Sequence, residues 1–270
     1  MKYIQIQNKK WRLEVDLQGG RIVNLTYGDR CILGTYNRID GKQGNTHICV
    51  PNFGNEGVKE FGLPFHGTGR NQRWNIVPDY VRHSGKPQAF TLKTSKKFLG
   101  RPESDPGLSQ YKKLIIFCLL SRTEKYKAEL SVNQIFEFCE DSFVHSVIVT
   151  HKGGEPVPVN IGIHNYWNSP NGWNGLKLNG EDITGQVKNN GIISIKKINS
   201  IKLLDIAKIA WEVEGFTHAV VWSAFMGSKF DTNYVCIEPV RGIGEFFGSE
   251  KSILKPKQKI DVFQKITVEK

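Results

Sequence analysis

Alternation of apolar and polar residues is the dominant pattern of this chain. It is clearest in YIQIQ at residues 3–7, WRLEV at 11–15, AELSV at 128–132 and FVHSVIV at 143–149. A period of two places successive side chains on opposite faces of a strand, so the pattern predicts half-buried β-strands. No long window of the sequence carries a helical stripe, and residues 203–211 fit either a short helix or a strand.

Turn signals separate these segments along the whole chain. They include Gly19-Gly20, HKGG at residues 151–154 and Asn179-Gly180. An Asn-Gly pair suits a tight hairpin because both residues tolerate a positive φ. The stretch GRPESDPG at residues 100–107 is a loop between two strand regions rather than a domain linker. We therefore expect one all-β domain over residues 1–270, and alternation alone leaves sandwich, jelly roll and supersandwich open.

Composition excludes several classes of protein. Hydrophobic residues make up 39% of the 270 positions, which is too many for a disordered chain and enough for a large core. No apolar run approaches the roughly 18 residues that a membrane-spanning helix needs. The first residues lack the continuous apolar stretch of a signal peptide. These features predict a cytoplasmic protein without a membrane partner, as a monomer or weak dimer.

The net charge of +11 raises the question of an anionic partner. The lysines are scattered, with the densest groups at residues 96–97 and 251–270, and no zinc-finger, KH or RNP motif occurs in the sequence. Scattered charge favours a basic surface over a nucleic-acid interface. We expect no nucleic-acid partner, and a negatively charged small molecule stays open.

The cysteines predict neither disulfides nor a metal centre. Their number is odd, they are widely spaced, and no CxxC pair occurs. A structural zinc site or a disulfide framework needs tighter clustering. Cysteines outside such sites usually behave as small buried hydrophobic residues. We assign that role to all five: Cys31, Cys49, Cys118, Cys139 and Cys236.

Residues 63–74, LPFHGTGRNQRW, form the first candidate for a functional site. Gly67 and Gly69 follow His66 and allow the backbone to approach a ligand closely. Arg70 lies four residues after His66 and is predicted to reach the same cleft. The alternative is a histidine that caps a turn.

Residues 159–168, VNIGIHNYWN, form the second candidate. Strand alternation puts Gly162, His164 and Tyr166 on one face and Asn165 on the other, with the two isoleucines. His164 thus points away from the apolar side, next to a glycine that leaves space. The alternative is a hydrogen-bonded histidine in the core.

The third candidate is Glu238, which we place at the end of the apolar strand NYVCI and before Pro239. A buried carboxylate needs a partner, and burial raises its pKa toward the range that suits a general base. The alternative is an ordinary exposed glutamate.

Other chemistries find little support in the sequence. Neither a GxSxG elbow nor a GxxxxGK[ST] loop occurs, and GIGE at residues 242–245 is a fragment of a nucleotide-binding motif without a following helix. His145 and His151 lack acidic or cysteine partners nearby in the sequence. We therefore expect neither a cofactor nor a metal.

Taken in order, these segments resemble the aldose 1-epimerase superfamily of the galactose-mutarotase type, and within it the glucose-6-phosphate 1-epimerase-like branch. The matching segments are GGRIVNL at residues 19–25, CVPNFG at 49–54, HGTGR at 66–70, IHNY at 163–166 and CIEP at 236–239. Each motif is weak alone, but together they cover most of the chain in the family's order. The resemblance implies a β-supersandwich with an open cleft on one concave sheet.

The resemblance also implies a cofactor-free reaction, the interconversion of the α and β anomers of a free sugar or sugar phosphate. Glu238 would be the general base that accepts the proton of the C1 hydroxyl. His164 would be the general acid that protonates the ring oxygen, so that the ring opens and recloses on the other face.

Further residues receive substrate-binding roles through the same resemblance. His66 would hydrogen-bond the sugar, and Arg70 would bind a hydroxyl or an anionic group. Asn52 and Tyr166 belong to the matching segments and complete this set.

Two features depart from the family's pattern. An arginine that commonly precedes the PxFG segment is replaced by Lys42 as a point charge, or by Arg73 from another position. The family's substrate-binding aspartate has no clear match, although Asp182 and Asp205 lie in the right interval.

A non-catalytic carbohydrate-binding protein on the same fold is therefore the alternative. Another carbohydrate-active β-sandwich, a lyase or hydrolase that uses Tyr166 with Arg70, is a third hypothesis. Convergence of Glu238 and His164 on one point distinguishes the enzyme from the binding protein.

Overall fold

The architecture of the chain comes from a computed structural model that describes residues 3–77, 112–173, 175–194, 201–202 and 209–269. Within these ranges, antiparallel β-sheet dominates, which confirms the all-β prediction. The predicted loop at residues 100–107 lies outside the described residues.

The strands are short at the edges of the sheets and long in the centre of one of them. The first thirteen are β1 (Tyr3–Asn8), β2 (Trp11–Asp16), β3 (Arg21–Tyr27), β4 (Arg30–Leu33), β5 (Tyr36–Asn37), β6 (Gln43–Gly44), β7 (His47–Cys49), β8 (Asn75–Ile76), β9 (Lys113–Leu120), β10 (Ala128–Phe138), β11 (Ser142–Gly154), β12 (Val157–Pro158) and β13 (Gly162–His164). The remainder are β14 (Tyr166–Asn168), β15 (Lys177–Leu178), β16 (Glu181–Asp182), β17 (Ile192–Ser194), β18 (Ile201–Lys202), β19 (Ile209–Glu214), β20 (His218–Trp222), β21 (Phe225–Met226), β22 (Lys229–Phe230), β23 (Tyr234–Val240), β24 (Ile253–Leu254) and β25 (Lys259–Val268). Two short helices are described, α1 (Val58–Phe61) and α2 (Thr184–Lys188), together with 3₁₀ turns at Gly69–Asn71, Gly244–Gly248 and Glu250–Ser252.

Two large sheets organise these strands. The ten-stranded sheet runs β1-β2-β3-β4-β14-β23-β13-β7, with β20 paired to β23 and β17 paired to β20. The nine-stranded sheet runs β16-β15-β18-β19-β25-β11-β10-β9-β8. Strands β13 and β14 both pair with β23, because they are two halves of one line of chain that is interrupted at Asn165. Three of the candidate residues, His164, Tyr166 and Glu238, therefore lie on paired strands of the ten-stranded sheet.

A continuous apolar core is shared by the two sheets. Its largest members include Trp11, Trp74, Trp167 and Trp211, all without solvent exposure. Trp167 of the ten-stranded sheet meets Trp211 of the nine-stranded sheet edge to face, with ring centroids 5.4 Å apart. Truncation of such a residue to alanine typically costs about 3–5 kcal/mol. Burial of this surface is what holds the sheets together.

A line of buried polar side chains crosses this core. Gln264 of β25 exchanges two hydrogen bonds with Asn165, donating over 3.1 Å and accepting over 2.9 Å. The indole of Trp211 donates to the same Gln264 oxygen over 3.0 Å. His145 contacts the Gln264 amide nitrogen on one side and Gln134 on the other. The network gives His145 a structural role and anchors the interruption between β13 and β14 to the opposite sheet.

Some of the local predictions of turns and strands are confirmed and others are wrong. Asn179 and Gly180 have φ values of 54° and 83° and join β15 to β16, as the Asn-Gly pair predicts. The turn predicted at residues 151–154 is wrong, because β11 continues to Gly154 beside β10. Residues 209–211 belong to strand β19, while residues 203–208 are outside the described ranges. Among the described residues, no helix is long and apolar enough to cross a membrane.

The prediction of five buried cysteines is only partly correct. Cys49, Cys118 and Cys236 are buried, whereas Cys31 is partly exposed and Cys139 is exposed. All five are free thiols. Cys139 lies just after β10, where the chain turns back toward β11, so the alternation that buries its strand has already ended.

Candidate active site

Strand register brings the candidate residues into one row across the ten-stranded sheet. His47 of β7 is the direct partner of His164 in β13. On the other side of His164, the pairings Gly162–Val240 and Tyr166–Cys236 frame Glu238 of β23. Antiparallel partners project to the same face of a sheet, so His47, His164 and Glu238 point the same way. The alternation predicted for the His164 segment is confirmed, because Asn165 points into the core and His164 does not.

Glu238 and His164 converge, as the enzyme hypothesis requires. His164 Nε2 lies 3.3 Å from Glu238 Oε1, and both side chains are buried. Glu238 Oε2 and His164 Nδ1 are buried without a hydrogen-bond partner among the described residues. Glu238 is not at a strand end, as the sequence predicted, because β23 runs through Pro239 to Val240. An unpartnered buried carboxylate oxygen is costly in free energy, so Glu238 is a candidate for a functional role.

Burial shifts the two pKa values in opposite directions. It raises the pKa of Glu238 well above its ordinary value, against the pull of Arg70 and Arg38. It lowers the pKa of His164 well below the ordinary value, and the neighbouring His47, His66 and arginines lower that pKa further. Both shifts disfavour the charged forms, so burial favours a neutral carboxyl and a neutral imidazole over the ion pair.

Aromatic rings fix the orientation of His164. The ring of His47 stacks on one side, with centroids 4.8 Å apart, and the ring of Tyr166 stacks on the other at 4.9 Å. Trp222 of β20 meets His164 edge to face at 5.9 Å. Turning the ring out of this plane would break these contacts, so the imidazole is held in the plane in which Nε2 faces Glu238 Oε1.

The loop after β7 supplies His66, which is largely buried and has a φ of 61°. The backbone N–H of Gly54 donates to His66 Nδ1 over 3.2 Å, so the ring proton of the neutral imidazole sits on Nε2. Burial and Arg70 lower the pKa of His66 to about 4, which keeps the ring neutral. The ring lies 5.4 Å from that of His164. Gly67 is required here, because a Cβ would meet the Val50 carbonyl oxygen at 2.2 Å.

Arg70 reaches the same cluster, as the sequence predicts. Its Nη1 lies 3.3 Å from His47 Nε2. The space that Gly162 was expected to leave beside His164 is instead filled by the ring of Phe53, which packs on His66 with centroids 5.1 Å apart.

The substrate-binding roles of Asn52, Arg73 and Lys42 stay predictions, and their surroundings differ. Asn52 is fully buried and donates to the carbonyl of Pro64 over 3.1 Å, so it holds the His66 loop, while its Oδ1 has no hydrogen-bond partner among the described residues. Arg73 is exposed and bridges to Gln18 through its backbone, away from the cluster. Lys42 is exposed on the β5–β6 hairpin.

The candidate aspartates do not complete the site either. Asp182 is exposed on β16 of the nine-stranded sheet, away from the cluster on the other sheet. Asp205 lies outside the described residues.

Arg38 lies beside the cluster, although the sequence analysis did not single it out. Its guanidinium lies 4.7 Å above the centre of the Trp222 ring, and its Nη1 is 3.4 Å from the Tyr166 hydroxyl. Asp40 pairs with it, and the two follow β5 directly. An arginine therefore does stand before the PxFG segment, four residues earlier than Lys42. The signal available in the sequence was a basic residue between a short strand and an Asp-Gly turn.

Three donor atoms of the cluster lie close enough together to raise the question of a metal ion. His164, Cys236 and Glu238 each place one potential ligand atom within 4.8 Å of the others. Burial raises the pKa of both Cys236 and Glu238 well above their ordinary values. A dication would require both residues to be deprotonated beside the charged groups of Arg38 and Arg70, which the raised pKa values disfavour, so the donor set fits a metal ion poorly.

Comparison with solved structures places this architecture in one group. A galactose mutarotase related enzyme from Lactobacillus acidophilus shares 14% sequence identity, with a TM-score of 0.70 over 99% of this chain and 97% of its own. A galactose mutarotase-like protein from Lactobacillus casei shares 12% identity, with a TM-score of 0.69 over 99% and 100%. Galactose 1-epimerase from Lactobacillus acidophilus shares 12% identity, with a TM-score of 0.60 over 99% and 94%.

The sequence itself matches no protein-family model and no curated protein. Identities this low establish the fold rather than the activity. The chain has the galactose mutarotase-like β-sandwich fold, and the predicted resemblance to the aldose 1-epimerase group is confirmed at that level. The narrower glucose-6-phosphate branch stays a prediction.

Proposed function

We propose that this protein is an aldose 1-epimerase that interconverts the α and β anomers of a hexose or hexose phosphate. The observation that carries the proposal is the buried contact between Glu238 and His164, each with one unpartnered atom left for a substrate. Two titratable groups with oppositely shifted pKa values, held in a fixed geometry, are the arrangement expected of an acid/base pair.

The number of protons that Glu238 and His164 share suits anomer exchange. Ring opening requires one group to accept the proton of the C1 hydroxyl while another donates a proton to the ring oxygen. With Glu238 ionised and His164 protonated, the carboxylate accepts and the imidazolium donates. With the proton on Glu238, which burial favours, the same exchange runs with the two roles reversed. Either form contains one proton, and reclosure of the ring restores it.

The surrounding groups provide the binding surface that a sugar needs. His66 offers an N–H at Nε2, and Arg70 and Arg38 offer guanidinium donors to hydroxyl groups or to a phosphate. Trp222 offers part of an aromatic face beside them, since it is partly exposed. Aromatic surface with convergent polar donors is typical of small polar ligand sites. The structural similarity to a galactose 1-epimerase supports a sugar substrate.

A non-catalytic sugar-binding protein on this fold is the second candidate. The unmatched aspartate favours it, and the Glu238–His164 contact argues against it, because binding alone does not need an acid and a base in one buried pair.

The first experiment measures anomer equilibration of freshly dissolved α-D-glucose, α-D-galactose and glucose 6-phosphate, by polarimetry or one-dimensional NMR. The wild type is compared with Glu238→Gln and with Glu245→Gln, whose side chain is exposed outside the cluster. Acceleration by the wild type and Glu245→Gln but not by Glu238→Gln would support the proposal. Parent rates for Glu238→Gln would refute the role of the carboxyl. Binding without acceleration on any sugar would favour the binding protein.

A further inference from the structure

We propose that His47 is a positioning residue that holds the Arg70 guanidinium near the Glu238–His164 pair through an uncharged nitrogen acceptor and braces the ring of His164. No motif of the sequence pointed to it. Its effect on catalysis rests on the proposed function, whereas its bond to Arg70 can be tested without any activity.

Hydrogen bonding fixes the tautomer of His47. Nδ1 lies 2.8 Å from the carbonyl oxygen of Asn45, which can only accept, so the ring proton sits on Nδ1. The lone pair is then on Nε2, and Nη1 of Arg70 lies 3.3 Å from it. His47 is 6% exposed, so water does not readily compete for this bond. A neutral acceptor is therefore the partner of the Arg70 side chain.

A neutral partner leaves the charge of Arg70 available. A carboxylate in the place of His47 would neutralise the guanidinium and compete with a ligand for it. The backbone of Arg70 is also fixed, because Arg21 donates a hydrogen bond to its carbonyl oxygen over 3.1 Å. Arg70 is thus held at its backbone and at Nη1, and its other guanidinium N–H groups have no hydrogen-bond partner among the described residues. The long arginine side chain loses less entropy on binding when it is ordered beforehand.

The position of His47 in the sheet explains its second contact. Its direct strand partner is His164, and the two rings stack with centroids 4.8 Å apart at 28°. Replacement by a small residue would leave one face of His164 without support. Two properties of His47, the acceptor atom and the flat ring, can be separated by substitution.

The test uses a matched pair of variants in the full chain. His47→Phe keeps a flat ring and removes the acceptor; His47→Gln removes the ring and keeps an acceptor near Nε2. We expect His47→Phe to raise KM roughly tenfold with a smaller change in kcat, as for loss of a hydrogen bond to a charged group. We expect His47→Gln to retain KM within about threefold. We expect it to lower kcat, because the ring of His164 loses its stacking contact and is held less rigidly. Equal KM values for His47→Phe and wild type would overturn the proposal.

A double-mutant cycle with Arg70→Ala tests the coupling directly. If His47 acts through Arg70, the two KM increases are not multiplicative in His47→Phe/Arg70→Ala. Fully multiplicative effects would show that His47 acts through something else.

Nitrogen NMR of the wild type tests the hydrogen bond between His47 and Arg70 even if no sugar is turned over. We expect the His47 imidazole to carry its proton on Nδ1, and the Arg70 guanidinium to rotate more slowly in wild type than in His47→Phe. A proton on Nε2, or equal rotation rates in the two proteins, would refute the bond on which the proposal depends. Absence of epimerase activity with the expected NMR result would refute the proposed function and leave the bond in place.

Discussion

Replacement of Gln264 by leucine should destabilise the protein strongly. The Gln264 side chain is fully buried and is not one of the proposed substrate-binding groups. Gln264 makes four contacts in the core network, two with Asn165 and one each with Trp211 and His145. Leucine satisfies none of them. Three buried groups then lose a partner, at about 1–3 kcal/mol each, and partial relaxation reduces the sum to an expected loss of about 3–5 kcal/mol. That is a large share of a typical stability of about 5–15 kcal/mol.

Urea unfolding followed by tryptophan fluorescence measures this loss. Gln7→Leu is the matched control, because Gln7 is an exposed glutamine in the edge strand β1 and should change the free energy of unfolding by less than about 0.5 kcal/mol. A loss below about 1 kcal/mol for Gln264→Leu would contradict the reasoning, since the buried partners would then have found other acceptors and donors. Because Asn165 lies between His164 and Tyr166, we also expect kcat to fall in this variant at temperatures where it remains folded.

Four further outcomes are expected. Glu238→Gln should lower kcat by at least about 100-fold while sugar binding persists, as ligand titration would show; parent activity would refute the acid/base role. His164→Ala should lower kcat more than His66→Ala, and small equal losses would exclude proton transfer by either. Activity should follow a bell-shaped pH profile, because the Glu238–His164 pair must hold one proton; a flat profile from pH 4 to 10 would count against it. Burial lowers the pKa of His145 to about 3, whereas in the unfolded chain its pKa is about 6.5. As the pH falls below about 6.5, the imidazole is therefore protonated in the unfolded chain before it is protonated in the folded protein. Stability should therefore decrease below that value, with up to about 1.4 kcal/mol per pH unit contributed by His145 alone, and His145→Gln should remove this contribution from the slope in acid-dependent urea unfolding.

Local features of the chain followed from the sequence because their causes are local. Period-two alternation fixes which side chains share a face of a strand, so the opposite directions of His164 and Asn165 were predictable. The Asn179-Gly180 turn followed from the backbone freedom of those two residues. The resemblance of short motifs then supplied the overall fold and the pair Glu238 and His164.

The tertiary structure decided the partners of these residues. His47 stands beside His164 because β7 and β13 are paired in one sheet, and Arg38 reaches Trp222 of β20 from the separate β5–β6 hairpin.

Strand neighbours are set by burial over the whole chain rather than by any local pattern, so the sequence of residues 36–49 does not specify that His47 meets His164 or that Arg38 meets Trp222. The same holds for the direction of Asn52 and for the opposite pKa shifts of Glu238 and His164. The sequence alone determined which side chains can do the chemistry; the packing of two sheets determined which of them meet and in what state of charge, because distance and desolvation exist only in the folded molecule.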